Sequence, residues 1–520
     1  MTRRPRLPSP LECKRRRAIG LAATAVASLC WGGVARADEP RRAGEPSVLR
    51  EPSEITQVVD AFDDDNPFDL HLSLGYESSW KSADIRRETS INQAGLSTGD
   101  FVQNNLNIAR YKETTSRLNT RADIGLYHDV ALVVRMPVIL SNERELTDLH
   151  GSESQQSIAI QGAPGEQLFK LPFKSPKRSG IEYLAVGLDA AIMNQARDLT
   201  KPTWVVGIEG RFDVSEPMHA CNSKPVAVNG LGSEVTCANS SDVDRDGVSA
   251  NDTVEGDFSS GTRPAGIGRG VTGLELHSYL SRRIKYIEPY GGFRTLFEFQ
   301  NSSSDYGQVD LKGSLVNHPP LRGTMLMGIN VIPWEIRNQF QRITLDFRFT
   351  GTYVSEGRDY SELYDALGSS DARSLRLPNY ASYRHNPAYM GMSGVPQSVV
   401  DENSRRVYFT GLTDVQAHGS YALSASLTWQ AGQFVKFNVG ANYTLTQGHF
   451  ITFDQACNPD FDNDIDKAGP CRSVNAGGTS AKATGIPNPN FRKTLNDPGH
   501  RFRVDDSSQI DAWVNATVMF

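Results

Sequence analysis

Long apolar runs are absent from this 520-residue chain, whose mean hydropathy is −0.41. No internal stretch reaches the roughly 18 apolar residues of a spanning helix, so a helical membrane protein is excluded. A basic excess is also absent: the formal net charge is −6, which argues against a nucleic-acid partner. The six cysteines are too few for a fold held together by disulfides. Disorder throughout is excluded as well, because 38% of the residues are hydrophobic and 22% are charged.

Residues 1–37 have the three parts of a secretory signal peptide. A basic segment at 14–17 precedes twelve apolar residues at 18–29 and the small-residue site Ala35-Arg36-Ala37. The apolar part is too short to cross a membrane, and we expect the mature chain to begin at Asp38. Residues 1–37 hold eight of the 54 basic residues and one of the 60 acidic ones, so the remainder carries a net charge of −13.

The rest of the chain alternates apolar and polar residues with a period of two, which is typical of β-strands with one apolar face. In the segment 343–353, for example, Phe347 and Phe349 lie on one face and Asp346 and Arg348 on the other. Twelve such segments occur, beginning near Phe68, Thr114, Val130, Ile181, Pro202, Val271, Glu288, Arg322, Gln341, Asp414, Phe434 and Gln509.

The connections between these segments alternate between short turns and long loops. A transmembrane barrel sorts its connections in this way, with tight periplasmic turns at one rim and long loops at the other. A large secreted all-β protein is the alternative, but a soluble sandwich has no reason for the alternation. The longest loops are predicted at 147–180, 214–270, 355–412 and 454–508.

The end of the chain carries a resemblance. Phe520 is the last residue, and apolar Val518, Ala516 and Val514 precede it at alternate positions. This ending resembles the C-terminal strand of Gram-negative outer-membrane β-barrel proteins. The resemblance implies a location in the cell outer membrane and recognition of the terminal aromatic residue by the barrel-assembly machinery. It matches no single family, so it carries over no functional residues.

Together these patterns predict an all-β fold, a transmembrane antiparallel up-and-down β-barrel of about twelve strands within 67–520, give or take about two strands. Residues 38–66 are rich in Arg, Glu, Pro and Asp and form a predicted periplasmic N-terminal extension. This extension is either a flexible lead or a plug, and its short length favours the lead. Aromatic residues near strand ends suit membrane-interface girdles: Tyr76, Trp80, Trp204, Phe299, Tyr353, Trp429 and Phe520.

The predicted inner face carries charges of both signs. Such charges either select ions and orient polar solutes, or neutralise one another in a salt-bridge network across a narrow lumen. Their roughly balanced signs favour the network. The charged residues are Arg117, Arg121, Asp123, Arg135, Asp189, Glu209, Arg211, Glu275, His277, Arg294, Glu298, Asp346, Arg348, Lys436 and Asp511.

Two acidic runs resemble calcium loops, in which alternating carboxylates converge on one cation. The first run has Gly247 for a tight turn but Thr253 where an EF-hand has glutamate, and the second run lacks the glycine. No cofactor is required, and Ca²⁺ is the candidate ligand of these loops; a solvated acidic surface is the alternative. The carboxylates are Asp242, Asp244, Asp246 and Asp252 in the first run and Asp460, Asp462, Asp464 and Asp466 in the second.

Four cysteines lie beyond residue 37, in an oxidising compartment. Cys221 and Cys237 share one long loop, and Cys457 and Cys471 share another. We expect one disulfide within each loop, with two bridges between the loops as the alternative.

Three functions fit such a barrel. The first is a passive, porin-like channel for small polar solutes, and the second is a structural or surface-interaction barrel whose loops are braced by Ca²⁺. The third is a lipid hydrolase embedded in the barrel, but no G-x-S-x-G motif is present. A triad chosen from His71, Ser73, Asp123 and His277 would be arbitrary, so an enzyme is not expected. The predicted partners are outer-membrane lipid and a small polar solute.

Overall fold

The computed structural model describes residues 54–61, 69–92, 101–149, 160–162, 166–220, 265–301, 304–306, 313–370, 372–376, 383–385, 390, 398–400, 409–463, 465, 468–478 and 480–520. Within these ranges no helix is long and apolar enough to cross a membrane. The predicted signal peptide lies outside them.

Twelve long strands form one closed antiparallel sheet. Each strand pairs with the next along the chain, and the first also pairs with the last, which closes the barrel. The structure therefore confirms the predicted up-and-down barrel and its strand number. The strands are β1 (Leu70–Asn92), β2 (Phe101–Tyr127), β3 (Val130–Asp148), β4 (Leu184–Met193), β5 (Thr203–Phe212), β6 (Val271–Ser281), β7 (Ile287–Gln300), β8 (Arg322–Ile336), β9 (Gln341–Val354), β10 (His418–Gln430), β11 (Val435–Thr446) and β12 (Phe502–Met519).

Two strands begin well before their predicted positions. β2 begins at Phe101 rather than near Thr114, and β12 begins at Phe502 rather than near Gln509. The early part of β2 pairs with β1 up to Asn92, although many of its residues are polar. Backbone pairing does not need the apolar alternation of a membrane-facing strand. In β2 and β12 the alternating pattern therefore begins later along the chain than the strand itself. The last long loop consequently ends at residue 501.

The outer face of the sheet is a belt of apolar side chains. Phe347 of β9, Val439 of β11 and Ile510 of β12 are each about half exposed. A closed sheet with this surface fits hydrocarbon, because closure leaves no unpaired backbone edge and the apolar side chains face the acyl chains. The aromatic residues predicted for the interface girdles are all exposed: Tyr76, Trp80, Trp204, Phe299, Tyr353, Trp429 and Phe520.

Both ends of the barrel meet at the rim that carries the short turns. The N–H of Phe520 donates to the carbonyl of Leu70 at 2.9 Å, and the N–H of Leu70 donates to the carbonyl of Phe520 at 3.2 Å. Short turns face the periplasm in such barrels, so this is the periplasmic rim. The short connections are 128–129, 194–202, 282–286, 337–340 and 431–434.

At the opposite rim the long connections fold inward and build an apolar core over the lumen. We call this region the loop cap; it comprises the described parts of 149–183, 355–417 and 447–501. Its core side chains come from three loops and from the upper ends of four strands, and they are almost completely buried. They include Leu168, Leu367, Leu495, Ile85 of β1 and Phe502 of β12.

Candidate functional site

Charged side chains of the lumen form ion pairs within and between the strands β3, β5 and β6. Arg135 of β3 pairs with Glu209 of β5. Arg211 contacts Glu209 at 2.9 Å and also pairs with Glu275 of β6. Glu209 and Glu275 are both 3% exposed, and burial of a carboxylate is tolerated when a guanidinium neutralises it. The structure thus brings four sequence-predicted residues into one cluster.

A second group of ion pairs lies on β1 and β2. Arg117 contacts Glu77 at 3.1 Å and Glu182 at 3.0 Å, and Arg121 contacts Asp123 at 2.8 Å. Neither glutamate was predicted from the sequence. Glu77 could have been found from the alternation along β1, because its odd-numbered position lies on the inward face. Glu182 precedes β4, where no alternation marks it.

The remaining predicted charges of β4 to β7 are distributed along the same wall. Asp189 and His277 lie 3.0 Å apart, and Glu298 contacts Arg269 at 3.3 Å. Arg294 stands opposite His277 in the pairing of β6 with β7. Arg269 was missed because it lies just before β6, outside any alternating segment.

On the far side of the lumen the polar contacts involve Tyr290, Asp346 and Arg348. The Tyr290 hydroxyl donates to Asp346 at 2.5 Å, and Arg348 donates to Asp346 at 3.1 Å and to Tyr290 at 2.9 Å. On the neighbouring strands, the Asn442 amide donates to Asp511 at 3.0 Å. The inner wall is therefore polar on this side as well.

Residues 54–61, here called the strap, cross the periplasmic mouth of the barrel. The Thr56 and Ser281 hydroxyls are hydrogen bonded at 2.8 Å, and Glu54 contacts Lys436 of β11 at 3.3 Å. At the other end of the strap, Asp60 passes so close to β2 that a Cβ at Gly125 would overlap its backbone carbonyl. The three strands that the strap contacts, β2, β6 and β11, are far apart around the barrel, so the strap spans the opening. Residues 54–61 of the predicted extension therefore contact the barrel wall in this structure.

A small polar cavity, here called the strap cavity, lies between the strap and the wall formed by β7 to β11. Its volume of about 30 Å³ is room for about two water molecules. Asn330 of β8 lines it and is 4% exposed, and its Nδ2 has no hydrogen-bond partner within the described part of the chain. The charged lining residues are Glu54, Glu288, Arg342, Asp346, Arg348 and Lys436.

The loop cap contains buried charge above the lumen. The Arg178 guanidinium contacts both carboxylate oxygens of Asp365, at 2.5 and 2.9 Å, and both side chains are almost completely buried. Asp414 is also buried, and its Oδ1 has no hydrogen-bond partner within the described residues. Burial and the neighbouring Asp454 carboxylate raise the pKa of Asp414, and burial also raises the pKa of Asp454.

Only part of the predicted loop chemistry lies within the described residues. Cys457 and Cys471 form the expected disulfide within their loop. Asp460 and Asp462 are exposed on that loop, whereas Asp464 and Asp466 lie outside the described residues. Among the residues that the structure describes, no group of three or more His, Cys, Asp or Glu is placed to hold a metal ion. Also outside the described residues are Cys221, Cys237, Asp242, Asp244, Asp246 and Asp252.

The four residues considered for a hydrolytic triad do not assemble into one. His71 stands opposite Asp123 in the pairing of β1 with β2. The Ser73 hydroxyl, however, is hydrogen bonded to the hydroxyl of Thr517 at 2.8 Å, and His277 contacts a different carboxylate. No nucleophile is therefore paired with a base in this set.

Comparisons with known proteins give likenesses of shape only. No protein-family model matches the chain, and no curated protein sequence matches it. Similar solved structures include an outer membrane channel from Pseudomonas putida F1, with 6% identity, 93% of this chain and 100% of that chain covered, and a TM-score of 0.35. A Pseudomonas aeruginosa FadL homologue has 9% identity, coverage of 87% and 90%, and a TM-score of 0.28. The outer membrane protease OmpT from Escherichia coli has 8% identity, coverage of 89% and 100%, and a TM-score of 0.24.

At these identities and TM-scores the likenesses carry no argument about function. The closed twelve-stranded sheet, its apolar outer belt and its sorted connections are the features of a barrel that spans a membrane. Such barrels belong to the Gram-negative outer membrane, and this chain is an outer-membrane β-barrel protein.

Proposed function

We propose that this protein is a gated outer-membrane channel for small polar solutes. The observation that carries the proposal is the combination of a polar, charge-lined lumen with a strap that crosses its periplasmic mouth and is held there by the buried Thr56–Ser281 hydrogen bond and the half-exposed Glu54–Lys436 ion pair. The lumen supplies the path and the strap supplies the gate.

The chemistry of the inner wall favours polar solutes. Across β10 to β12 the Ser424 hydroxyl donates to the Asn442 amide oxygen at 3.1 Å, and the Asn442 amide donates to the Asp511 carboxylate at 3.0 Å. A polar solute can exchange its hydration shell for such groups, whereas an apolar solute gains nothing from them.

The strap keeps the passage closed in this conformation. With the strap in place, the strap cavity has room for about two water molecules, which is too little for a solute. The Glu54–Lys436 contact is half-exposed on the Glu54 side, and contacts of this kind contribute about 0.2–1 kcal/mol. This ion pair therefore contributes little to holding the strap in place.

Conductance in planar lipid bilayers tests this proposal. Purified wild-type protein is expected to show brief openings, and Glu54→Gln is expected to lengthen the open time by up to about fivefold. Glu145→Gln is a matched control, because Glu145 is similarly exposed and also faces a lysine, Lys112, but lies toward the opposite rim. A protein that never conducts, in either variant or in the wild type, would contradict a channel function.

A second candidate function is a surface-interaction barrel, which the loop cap favours. The cap has its own apolar core and a disulfide-braced excursion, so it presents a folded surface to the outside. Absence of conductance together with specific binding of an external partner would support this alternative.

Two further expectations belong with this proposal. Ca²⁺ binding by the acidic runs at 242–252 and 460–466 stays a prediction, which Ca²⁺-dependent protection from proteolysis would test. Recognition of Phe520 by the barrel-assembly machinery also stays a prediction, and deletion of Phe520 should impair assembly.

A further inference from the structure

An unsatisfied hydrogen-bond donor faces the strap cavity. Asn330 is 4% exposed, lines the cavity, and has no partner for Nδ2 within the described residues. A buried donor without a partner is destabilising, so this position favours a molecule that brings an acceptor. Asn330 stands between Glu288 of β7 and Asp346 of β9 in the register of the sheet.

The positive and negative charges that line the strap cavity are equal in number. Three carboxylates and three cations line the cavity, and they are arranged in rows across the strands. Glu288, Asn330 and Asp346 form one row, and Arg342 and Lys436 lie nearer the periplasmic rim, on either side of Gln430 in register. A single ion would be attracted by one row and repelled by the other, whereas a molecule with both charges fits both rows.

The strap already places a carboxylate in this arrangement. Glu54 contacts Lys436 at 3.3 Å, and Ile55 also lines the cavity. A solute carboxylate that bound Lys436 would therefore compete with Glu54 for the same cation. Entry of such a solute would weaken the hold of the strap on the wall.

We infer that the wall of the strap cavity, once Glu54 has left Lys436, is a binding subsite for a small zwitterion that carries an ammonium group and a carboxylate. Its ammonium group lies between Glu288 and Asp346, and its carboxylate accepts from Asn330 and pairs with Lys436 in place of Glu54. This inference rests on the proposed channel function and adds the substrate class and a link between the solute and the gate.

Two isomeric solutes separate this inference from the channel proposal. Glycine is a zwitterion and glycolamide is its uncharged isomer, so the pair differs in charge and hardly in size. In a liposome-swelling assay with wild-type protein, glycine should enter faster than glycolamide. Asn330→Leu, which keeps the number of heavy atoms and the branch at Cγ but removes the donor, should lower the glycine-to-glycolamide ratio about tenfold, the loss expected for a hydrogen bond to a charged group.

Control variants keep the result interpretable. Asn442→Leu removes another amide of the lumen, one that lies outside the strap cavity, and should change both rates alike. Asn330→Ala serves if the leucine variant does not fold. Equal entry of the two isomers through the wild type, or a ratio unchanged by the Asn330 variants, would overturn the subsite and leave the channel intact. No entry of either isomer through Glu54→Gln would overturn the channel itself.

Discussion

The wall of the barrel and the loop cap above it are organised in opposite ways. In the wall, Phe347 and Tyr443 are about half exposed on the outside, and polar side chains line the inside. In the cap, Ile85 and Phe502 are completely buried on the inside. The wall is surrounded by lipid, so its apolar side chains point outward. The cap is surrounded by water, so its apolar side chains point inward.

Strand β1 runs from the wall into the loop cap, and its odd-numbered side chains point inward along this whole length. Its inward, odd-numbered positions are polar from Ser73 through Glu77 to Lys81, and then apolar at Ala83 and Ile85. The lumen below needs polar side chains, and the loop core above needs apolar ones. The change of composition on one face thus marks where the lumen ends.

The largest expected effect comes from breaking the buried ion pair of the cap. Arg178→Met should destabilise the loop cap by about 3–5 kcal/mol, because it leaves the Asp365 carboxylate buried without its guanidinium. Arg121→Met removes an ion pair from the wetter lumen and should cost about 1 kcal/mol or less. Hydrogen exchange in detergent measures both, followed in the cap for Arg178→Met and in β1 and β2 for Arg121→Met.

The double variant Arg178→Met with Asp365→Leu checks the cause. It should recover most of the loss, because no unpaired charge remains buried. Similar losses from the single and double variants would mean that packing, and not charge, dominates this site.

The next effect tests the facing of the wall. Phe347→Arg places a charge in the lipid belt near the middle of β9 and should cost about 2–4 kcal/mol in unfolding free energy. Asp346→Asn, on the inward side, should cost less than half as much, since Tyr290 can still donate to the side-chain oxygen. Reversible unfolding in lipid compares the two, and equal losses would break the register described for β9.

A smaller and local effect is expected from the disulfide of the last loop. Replacing Cys457 and Cys471 together by serine should remove about 3 kcal/mol from the stability of that excursion, on the chain-entropy model for a short closed loop. Limited proteolysis should then cut between residues 457 and 487, while unfolding of the barrel stays unchanged. A lower barrel stability would show that the excursion supports the wall.

The smallest effect is expected from pH. Burial raises the pKa of Asp414 and of Asp454, and the Asp454 carboxylate raises the pKa of Asp414 further, so the folded cap prefers their protonated forms. A group with a raised folded pKa stabilises at low pH and loses that contribution as pH rises through the folded pKa. Since Arg358 offsets part of the charge, we expect protease sensitivity of the cap to rise modestly from about pH 5 to about pH 9. Asp414→Asn should flatten this dependence.

The wall could be predicted from the sequence because lipid and lumen impose a strict period of two on it. Phe347 and Asp346 show the pattern at adjacent positions. The alternation of short turns and long loops also predicted that the sheet closes into a barrel and which rim faces the periplasm. The identity of most lumen charges followed from the same parity. Their pairing did not, because it depends on which strands stand side by side, as for Arg117 and Glu182.

The strap and the loop cap could not be predicted, for a physical reason. Thr56 and Ser281 are 225 residues apart in sequence and meet through one hydrogen bond, which leaves no periodic trace. Leu367 lies on a helix of one turn, Tyr364–Gly368, which is too short to show a helical repeat. Contacts of this kind are decided by three-dimensional packing alone.

The strap as a gate is the central claim, and a reversible cross-link tests it most directly. In the double variant Thr56→Cys with Ser281→Cys, the thiols replace hydroxyls that lie 2.8 Å apart, so oxidation can join the strap to the wall. Conductance in a planar bilayer should disappear on oxidation and return on reduction, while Thr56→Cys alone should conduct under both conditions. Undiminished conductance through the fully cross-linked protein would contradict the account.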